Sequence, residues 1–235
     1  MIEKVAEILK EIAEVAEENN LPEPYLVGGA VRDMLLDKTP SDFDITCGGP
    51  EALILADKFA MKKRVSIYMY RSGAKRVRYK GMDFDFSPHA VFSDHTNSFI
   101  AECMSRDYTI NSIMIRCSDG EFVDLFGGVD DLENKVLRCT YSPEVTFSGP
   151  ANALRGLKFI GSGFEPTEET EKGICENLHK IKDLPYGQSS RVTNNVFKRY
   201  PQMIQWLAER DLLKHMPETK YLILQLAKNK LLGEI

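Results

Sequence analysis

Two aspartates one residue apart, in Ser41-Asp42-Phe43-Asp44-Ile45-Thr46, stand in a run that alternates polar and apolar residues as a half-buried β-strand does. On such a strand the carboxylates at i and i+2 leave one face while Phe43 and Ile45 enter the core. Two carboxylates this close repel each other unless a cation lies between them. Magnesium, which prefers hard oxygen ligands, is the natural guest. A solvated strand face carries the same pattern, so the pair alone leaves both readings open. Upstream, Leu26-Val27-Gly28-Gly29-Ala30-Val31-Arg32-Asp33 describes a strand that leads into a glycine pair and at once into a helix. Glycines there let backbone N–H groups approach a ligand closely, and a triphosphate fits against the positive end of the helix. Arg32, one turn in, can add a forked charge-assisted hydrogen bond to phosphate or lock a nearby acid. A plain tight turn is the other reading of the glycine pair.

These residues need elements to hold them. Val5, Ile8, Leu9, Ile12, Val15 and Ala16 recur at helical spacing, so residues 2 to 19 read as one amphipathic helix that stops at Asn19-Asn20 and Pro22. The spacing predicts a strand at Tyr25-Leu26-Val27, a helix over 30–36, a strand over 41–46 and a helix over 51–62. Two short runs, 76–79 and 82–87, flank Gly81 as a hairpin does, and 109–116 with 121–125 form another pair meeting at Asp119-Gly120. From Pro143 strand signals vanish and helical patterns follow at about 151–161, 167–181, 189–198, 201–210 and 219–232. A domain boundary is expected near 140–147, with no internal repeat and no long linker.

With 235 residues, 43% hydrophobic and 28% charged, the chain is long enough for one large or two small domains with a sizeable core. Disorder and fibrous repeats are excluded. A net charge of -5 argues against coating nucleic acid through bulk charge and leaves a local basic groove open. The longest purely apolar run, Ala52 to Ala56, is far below the roughly 18 residues that span a bilayer, so no membrane association is expected. The N-terminal stretch has no basic region or small-residue cleavage site of a signal peptide. The cysteines at 47, 103, 117, 139 and 175 are scattered without a CxxC, which suggests neither a disulfide framework nor a zinc site. The expected compartment is the reducing cytoplasm.

The pattern Gly28-Gly29-x-Val31-Arg32-Asp33-x-Leu35-Leu36 followed by Asp42-x-Asp44-Ile45 resembles the nucleotidyltransferase motif of class II, bacterial-type CCA-adding tRNA nucleotidyltransferases and poly(A) polymerases, in the DNA polymerase β superfamily. Arg106-Asp107-Tyr108-Thr109-Ile110-Asn111 resembles that family's RRDFTIN block, with Ser105 in place of its first arginine. Asp124 to Leu132 resembles its D-x-x-G-G-x-x-D-L block, and Leu154-Arg155-Gly156-Leu157-Lys158-Phe159 with Gly163-Phe164 resembles its neck helix. Four blocks in order over residues 25–164, with weaker similarity to about Glu218, are far more specific than any one of them. The resemblance implies an α+β fold, with a mixed-sheet head over residues 1–145 and a helical neck over 146–235. It implies transfer of NMP from NTP, ATP or CTP, to an RNA 3′-hydroxyl on a tRNA or small RNA, by two-metal catalysis with Mg2+ or Mn2+. Asp42 and Asp44 would hold the metal with a third carboxylate, for which Asp85 is preferred and Asp83 is the substitute. Gly28, Gly29, Arg32, Arg106, Asp107, Asn111, Asn152, Arg155 and Lys158 would contact the nucleotide. Asp107 also reads as a helix cap, and Arg155 with Lys158 as a solvated helix face.

Two departures bear on substrate choice. Where the family carries E-D-x-x-R as a template for the base edge, this chain has Ser148-Gly149-Pro150-Ala151-Asn152, which removes the carboxylate and guanidinium pattern and predicts altered base selection. The family's body and tail, which grip the tRNA, would follow the neck, and this sequence stops at Ile235, so that grip would have to come from a partner subunit, a homodimer or a further C-terminal region. Two further readings stand beside the leading one: a nucleotide- or RNA-binding module without turnover, and transfer to a small molecule or protein. Lys62, Lys63, Arg64, Arg71, Lys75, Arg76, Arg78 and Lys80 form a candidate phosphate-tracking strip, or else a solvated hairpin. His89, His95 and Trp206 give no ligand pattern and read as structural.

Overall fold

The structure, a computed structural model, describes residues 2–88, 98–149, 151–184 and 186–216. The expected helix at 219–232, together with His89 and His95, lies outside the described residues. Two compact units divide the chain, Met1–Leu132 and Glu133–Ile235. Among the described residues no helix is long and apolar enough to cross a membrane.

The first unit begins with α1 (Ile2–Glu18), whose Val5, Ile8, Leu9, Ile12, Val15 and Ala16 are all buried, as the helical spacing requires. It continues through β1 (Tyr25–Val27), α2 (Gly29–Leu35), β2 (Phe43–Thr46), α3 (Glu51–Lys63), β3 (Ile67–Met69), β4 (Lys75–Tyr79) and β5 (Met82–Ser87). Then follow α4 (Ser98–Ser105), a 3₁₀ turn (Thr109–Asn111), β6 (Met114–Arg116), β7 (Phe122–Val123) and α5 (Gly128–Glu133). Seven strands form one mixed sheet in the order β3-β4-β5-β2-β1-β6-β7, in which β2 and β5 run parallel and every other pair antiparallel.

The two-residue period of the central strands sorts chemistry from core. Phe43 and Ile45 of β2, Val77 of β4, and Phe84 and Phe86 of β5 are buried, with Phe43 stacked on Phe84 at 5.2 Å and Phe86 against Phe59 of α3 at 6.3 Å. The alternate positions, Asp44, Arg76, Arg78, Asp83 and Asp85, are left on the opposite face. Lys80 and Gly81 both have positive φ, 48° and 83°, which makes the β4–β5 connection the two-residue turn that matches sheet twist.

Three features depart from the sequence reading. Edge strand β3 carries exposed Tyr68 and Met69 and therefore no alternating signal. The strand expected over 109–116 shrinks to Met114–Arg116, because Thr109–Asn111 coils into a 3₁₀ turn held by Asn111 N–H to Tyr108 O at 2.8 Å and Asn111 Nδ2 to Asp107 Oδ1 at 2.8 Å. Much of the basic strip is ion-paired: Lys62 with Glu18, Lys63 and Lys80 with Glu11, Lys75 with Asp57 and Arg76 with aspartates, while Arg78 stays largely exposed with its Nε 3.7 Å from Asp83.

Burial alone would raise the Glu11 carboxyl, yet hydrogen bonds from Lys63, Lys80 and Tyr79 prevail and hold it down at about 2, below its ordinary 4.5. A carboxyl lowered on folding stabilises the native state fully above its ordinary value, and that contribution drains away as pH falls from about 4.5 towards 2. Glu11→Gln should therefore cost about 2 kcal/mol at pH 7, with the gap to wild type closing below pH 4 in acid-denaturation curves.

The Asp124-to-Leu132 block proves to be scaffolding. Asp124 accepts N–H bonds from Gly128 (2.8 Å) and Val129 (2.9 Å), capping α5, and Asp131 accepts the Thr109 hydroxyl at 2.7 Å. A Cβ on Gly128 would land on the Thr109 carbonyl oxygen and within 2.8 Å of Ile113. Gly128→Ala should lower stability by about 3 kcal/mol, whereas Gly127→Ala, at φ 71° in open space, should cost about 1–2 kcal/mol. Thermal unfolding of the two variants checks the order.

The second unit is mostly helical: β8 (Val136–Leu137), α6 (Pro143–Thr146), α7 (Asn152–Gly161), β9 (Glu165–Pro166), α8 (Glu168–Asn177), a 3₁₀ segment (Leu178–Asp183), α9 (Tyr186–Arg199), α10 (Met203–Glu209) and a last 3₁₀ turn (Leu213–His215). Ser142 caps α6 with Pro143 behind it, and Thr167 caps α8 ahead of Glu168 and Glu169. Parallel pairing of β8 with β9 places a short strand at Glu165–Pro166, where no alternating pattern announces one and one of its two residues is a proline. Leu154, Leu157, Phe159, Ile174, Leu178, Phe197 and Leu207 form this unit's core.

Candidate active site

Strand register assembles the carboxylate face. Asp44 of β2 lies opposite Asp85 of β5, and Asp85 in turn lies opposite Arg76 of β4, while Asp83 lies opposite Arg78. The Arg76 guanidinium is the hub. Its Nε and Nη2 donate to the two oxygens of Asp85, both at 2.6 Å, its Nη1 donates to Asp83 Oδ2 at 3.2 Å, and its Nη2 reaches Asp42 Oδ2 at 3.3 Å. The hydrogen bonds with Asp85 raise the Arg76 pKa further, so it stays charged. The ring of Tyr70 lies 5.4 Å from the guanidinium carbon. Asp42 also accepts the Ser41 hydroxyl at 2.9 Å.

On the other side of β2 lies the glycine turn. Gly28 has φ 73° and ψ −137°, a backbone conformation essentially confined to glycine. A Cβ built there would sit 3.3 Å from Arg106 Nη1 and 3.6 Å from Asp44 Oδ2, so both groups border the turn. Arg106 forms an i, i+4 ion pair with Glu102, which is 4% exposed, and its Nε is buried with no hydrogen-bond partner. The guanidinium atom that faces the glycine turn is Nη1.

Arg32 turns along the same end of the sheet. Its Nε and Nη2 donate to Asp33 Oδ1 at 3.0 and 2.7 Å, and its Nη1 donates to Asn111 Oδ1 at 2.5 Å. Asn111 donates to Asp107 Oδ1, which also accepts the Tyr108 N–H at 2.9 Å. Asp107 and Asn111 are 5% and 8% exposed, so they brace Arg32.

In the second unit, the exposed Arg155 and Lys158 of α7 border a cavity of about 610 Å³ shared with Asn195, Lys198, Arg199 and Tyr200. Asn152 Nδ2 donates to the Thr146 carbonyl at 2.7 Å and Ser148 Oγ to that of Val145 at 2.7 Å. Both polar side chains of the run that replaces the base template are thus tied to backbone. Pro150 lies outside the described residues.

The structure thus brings Asp42, Asp83 and Asp85 together around Arg76, and Asp44, Gly28 and Arg106 together across β2. Sequence reasoning missed the role of Arg76, which it placed in the basic strip, and the buried Glu102. The i, i+4 spacing of Glu102 and Arg106 was the signal for the latter. The donor chemistry suits a divalent ion, since the hard oxygens of Asp42, Asp44 and Asp85 stand on neighbouring strands. As arranged, no three His, Cys, Asp or Glu side chains among the described residues are grouped closely enough to ligate one ion.

Residues 24–138 match the poly(A) polymerase head domain. The chain is 32% identical over 176 residues to a CCA-adding enzyme of Lactobacillus helveticus, covering 69% of this chain and 43% of that protein. It is 31% identical over 180 residues to an A-adding tRNA nucleotidyltransferase of Aquifex aeolicus, covering 70% and 22% respectively. A solved tRNA nucleotidyltransferase complexed with a primer tRNA and an incoming ATP analogue superposes with a TM-score of 0.76 at 27% identity, over 88% of this chain and 62% of that one. The chain spans less than half the length of these curated relatives.

Proposed function

The chain belongs to the class II CCA-adding enzyme and poly(A) polymerase family, and from that premise we propose that it transfers a nucleoside monophosphate from an NTP to the 3′-hydroxyl of an RNA, a tRNA or small RNA. The observation that carries this reading is the juxtaposition at Gly28: the Asp44 carboxylate and the Arg106 guanidinium border one side-chain-free turn, with Asp42 and Asp85 on the same sheet face. Asp42, Asp44 and Asp85 would hold Mg2+, or Mn2+ in its place. When bound, the divalent ion lowers the pKa of the attacking hydroxyl and neutralises charge gathering on the α-phosphate.

The remaining work falls to this chain's own groups. Gly28 and Gly29 leave room for phosphate against backbone. Arg106 offers its Nη1 to phosphate oxygens, while the buried Glu102 keeps the guanidinium from swinging away. Arg32, braced by Asn111 and Asp107, sets the entry to the turn. Asn152, Arg155 and Lys158 of the helical part, in the division head 1–145 and neck 146–235, are the further nucleotide contacts that the family resemblance implies.

Base choice follows from chemistry. Each good bidentate pair to a base edge is worth about 1–3 kcal/mol of discrimination. Ser148 and Asn152 spend hydrogen-bonding groups on backbone and supply neither an acid nor a guanidinium. Selection should accordingly be looser than a strict C-C-A order. Incubation with each labelled NTP, Mg2+ and a pool of small RNAs tests both points. RNA extended at its 3′ end with mixed or single-base preference is the expected product. No extension with any NTP would overturn the activity, and strict C-C-A addition would overturn the selectivity.

A further inference from the structure

We propose that Arg76 is the exchangeable counter-cation of the carboxylate face, a positioning residue that a divalent ion must displace from Asp42 and Asp85 before those side chains can ligate it. The inference rests on the metal-site reading above and goes beyond it by assigning a role to a basic residue on a neighbouring strand.

Three observations carry it. Arg76 is placed by register, since it lies directly opposite Asp85 on the adjacent antiparallel strand, so its approach to the acids is built into the sheet. Its contacts are graded: a two-pronged fork to Asp85 at 2.6 Å, then single contacts at 3.2 Å to Asp83 and 3.3 Å to Asp42. One guanidinium thus neutralises a face where three carboxylates would otherwise repel one another. And a second resting place adjoins it. Asp83 stands opposite Arg78 in register, with Arg78 Nε at 3.7 Å, beyond hydrogen-bond reach, and the Tyr70 ring faces the Arg76 guanidinium. On yielding Asp42 and Asp85, Arg76 can keep its contact with Asp83 and stack on Tyr70 without entering water bare.

The consequence is a trade. A cation occupying oxygen donors lowers their affinity for any other cation, and removing it leaves the donors more attractive to metal and more repulsive to each other. The loss of Arg76 should therefore weaken the metal-free fold while strengthening ion capture. A merely structural salt bridge would weaken the fold and leave ion affinity unchanged or reduced.

Mn2+ titration of the full chain, followed by electron paramagnetic resonance and by melting temperature with and without the ion, distinguishes these. In Arg76→Gln, Mn2+ should bind about tenfold more tightly than in wild type, the metal-free melting temperature should fall, and the rise on adding Mn2+ should be larger. Arg76→Lys keeps one charge but loses the fork, so its Mn2+ affinity should lie between the two. If Arg76→Gln does not fold, tighter binding by Arg76→Lys than by wild type supports the inference. Equal or weaker Mn2+ binding by whichever variant folds would overturn it. Failure of the wild type to bind Mn2+ at all, or binding undiminished in Asp85→Asn, would instead overturn the metal-site reading on which it rests.

Discussion

Asp44→Ala should lose the proposed transfer by about 10³-fold or more while its unfolding transition stays within about 1 kcal/mol of wild type. The size of the catalytic loss follows from where the carboxylate stands. It borders the glycine turn beside Arg106, at the junction where the proposed phosphate cradle meets the carboxylate face. A group acting on charge that develops at the reacting phosphorus is worth more than one that only helps binding. The small effect on stability follows from the same geometry. The Arg76 hub gathers Asp42, Asp83 and Asp85, so Asp44→Ala leaves that hub intact, and the removal of one negative charge from a crowded face offsets the loss of Asp44's own polar contact. Asp85→Ala makes the informative contrast. It takes away both prongs of the Arg76 fork and should lose activity and stability together, by about 2 kcal/mol for the latter. Single-turnover transfer and thermal unfolding measured on both variants separate the two roles. Asp44→Ala protein that still turns over at the wild-type rate would mean that the chemistry lies elsewhere.

What could be read from the sequence is what short-range patterns encode. Phe43 and Ile45 alternating with Asp42 and Asp44 determine that the acids share a face, and the same holds for Phe84 and Phe86 with Asp83 and Asp85. The Lys80-Gly81 turn, amphipathic α1 and the helices around Leu154 and Ile174 follow from equally local signals, and the α+β architecture with a mixed sheet follows from their order. Pairing across the sheet is a different matter. That Arg76 faces Asp85 depends on the β4–β5 register. That both stand near Asp42 depends on β2 lying parallel to β5, a crossover that no local pattern announces. For the same reason Lys63 and Lys80 looked like part of a basic surface until α1 brought Glu11 to them. The Asp124-to-Leu132 block was legible as part of the family pattern, but its structural task was not: its aspartates cap α5 and hold Thr109, and its second glycine makes room for a carbonyl.

The glycine turn supplies the second large effect. Gly28→Ala should reduce transfer about 100-fold or more, chiefly through a raised KM for the NTP, and should cost about 1–3 kcal/mol of stability. The backbone at φ 73° and ψ −137° is one that a residue with a Cβ resists, which gives the stability term. The catalytic term has a separate origin. The added methyl would enter the gap 3.3 Å from Arg106 Nη1 and 3.6 Å from Asp44 Oδ2, the space in which phosphate oxygens are proposed to lie. Arg106 has little freedom to retreat, because Glu102 behind it is buried and ion-paired to it. Gly29→Ala is the matched control. Gly29 is the first residue of α2 and has no positive φ, and its nearest neighbour would be Arg32 Nη2 at 3.4 Å, an ordinary van der Waals contact that a Cβ can make with Arg32 in place. A loss of no more than about tenfold is expected there. Should Gly28→Ala bind NTP as tightly as wild type, with the strain cost present in its melting curve, the turn would be a purely structural corner. If instead KM rises in proportion to the fall in kcat/KM, the lost interaction is one made equally in the ground state and the transition state, as expected for a phosphate cradle and not for a group acting at the reacting bond.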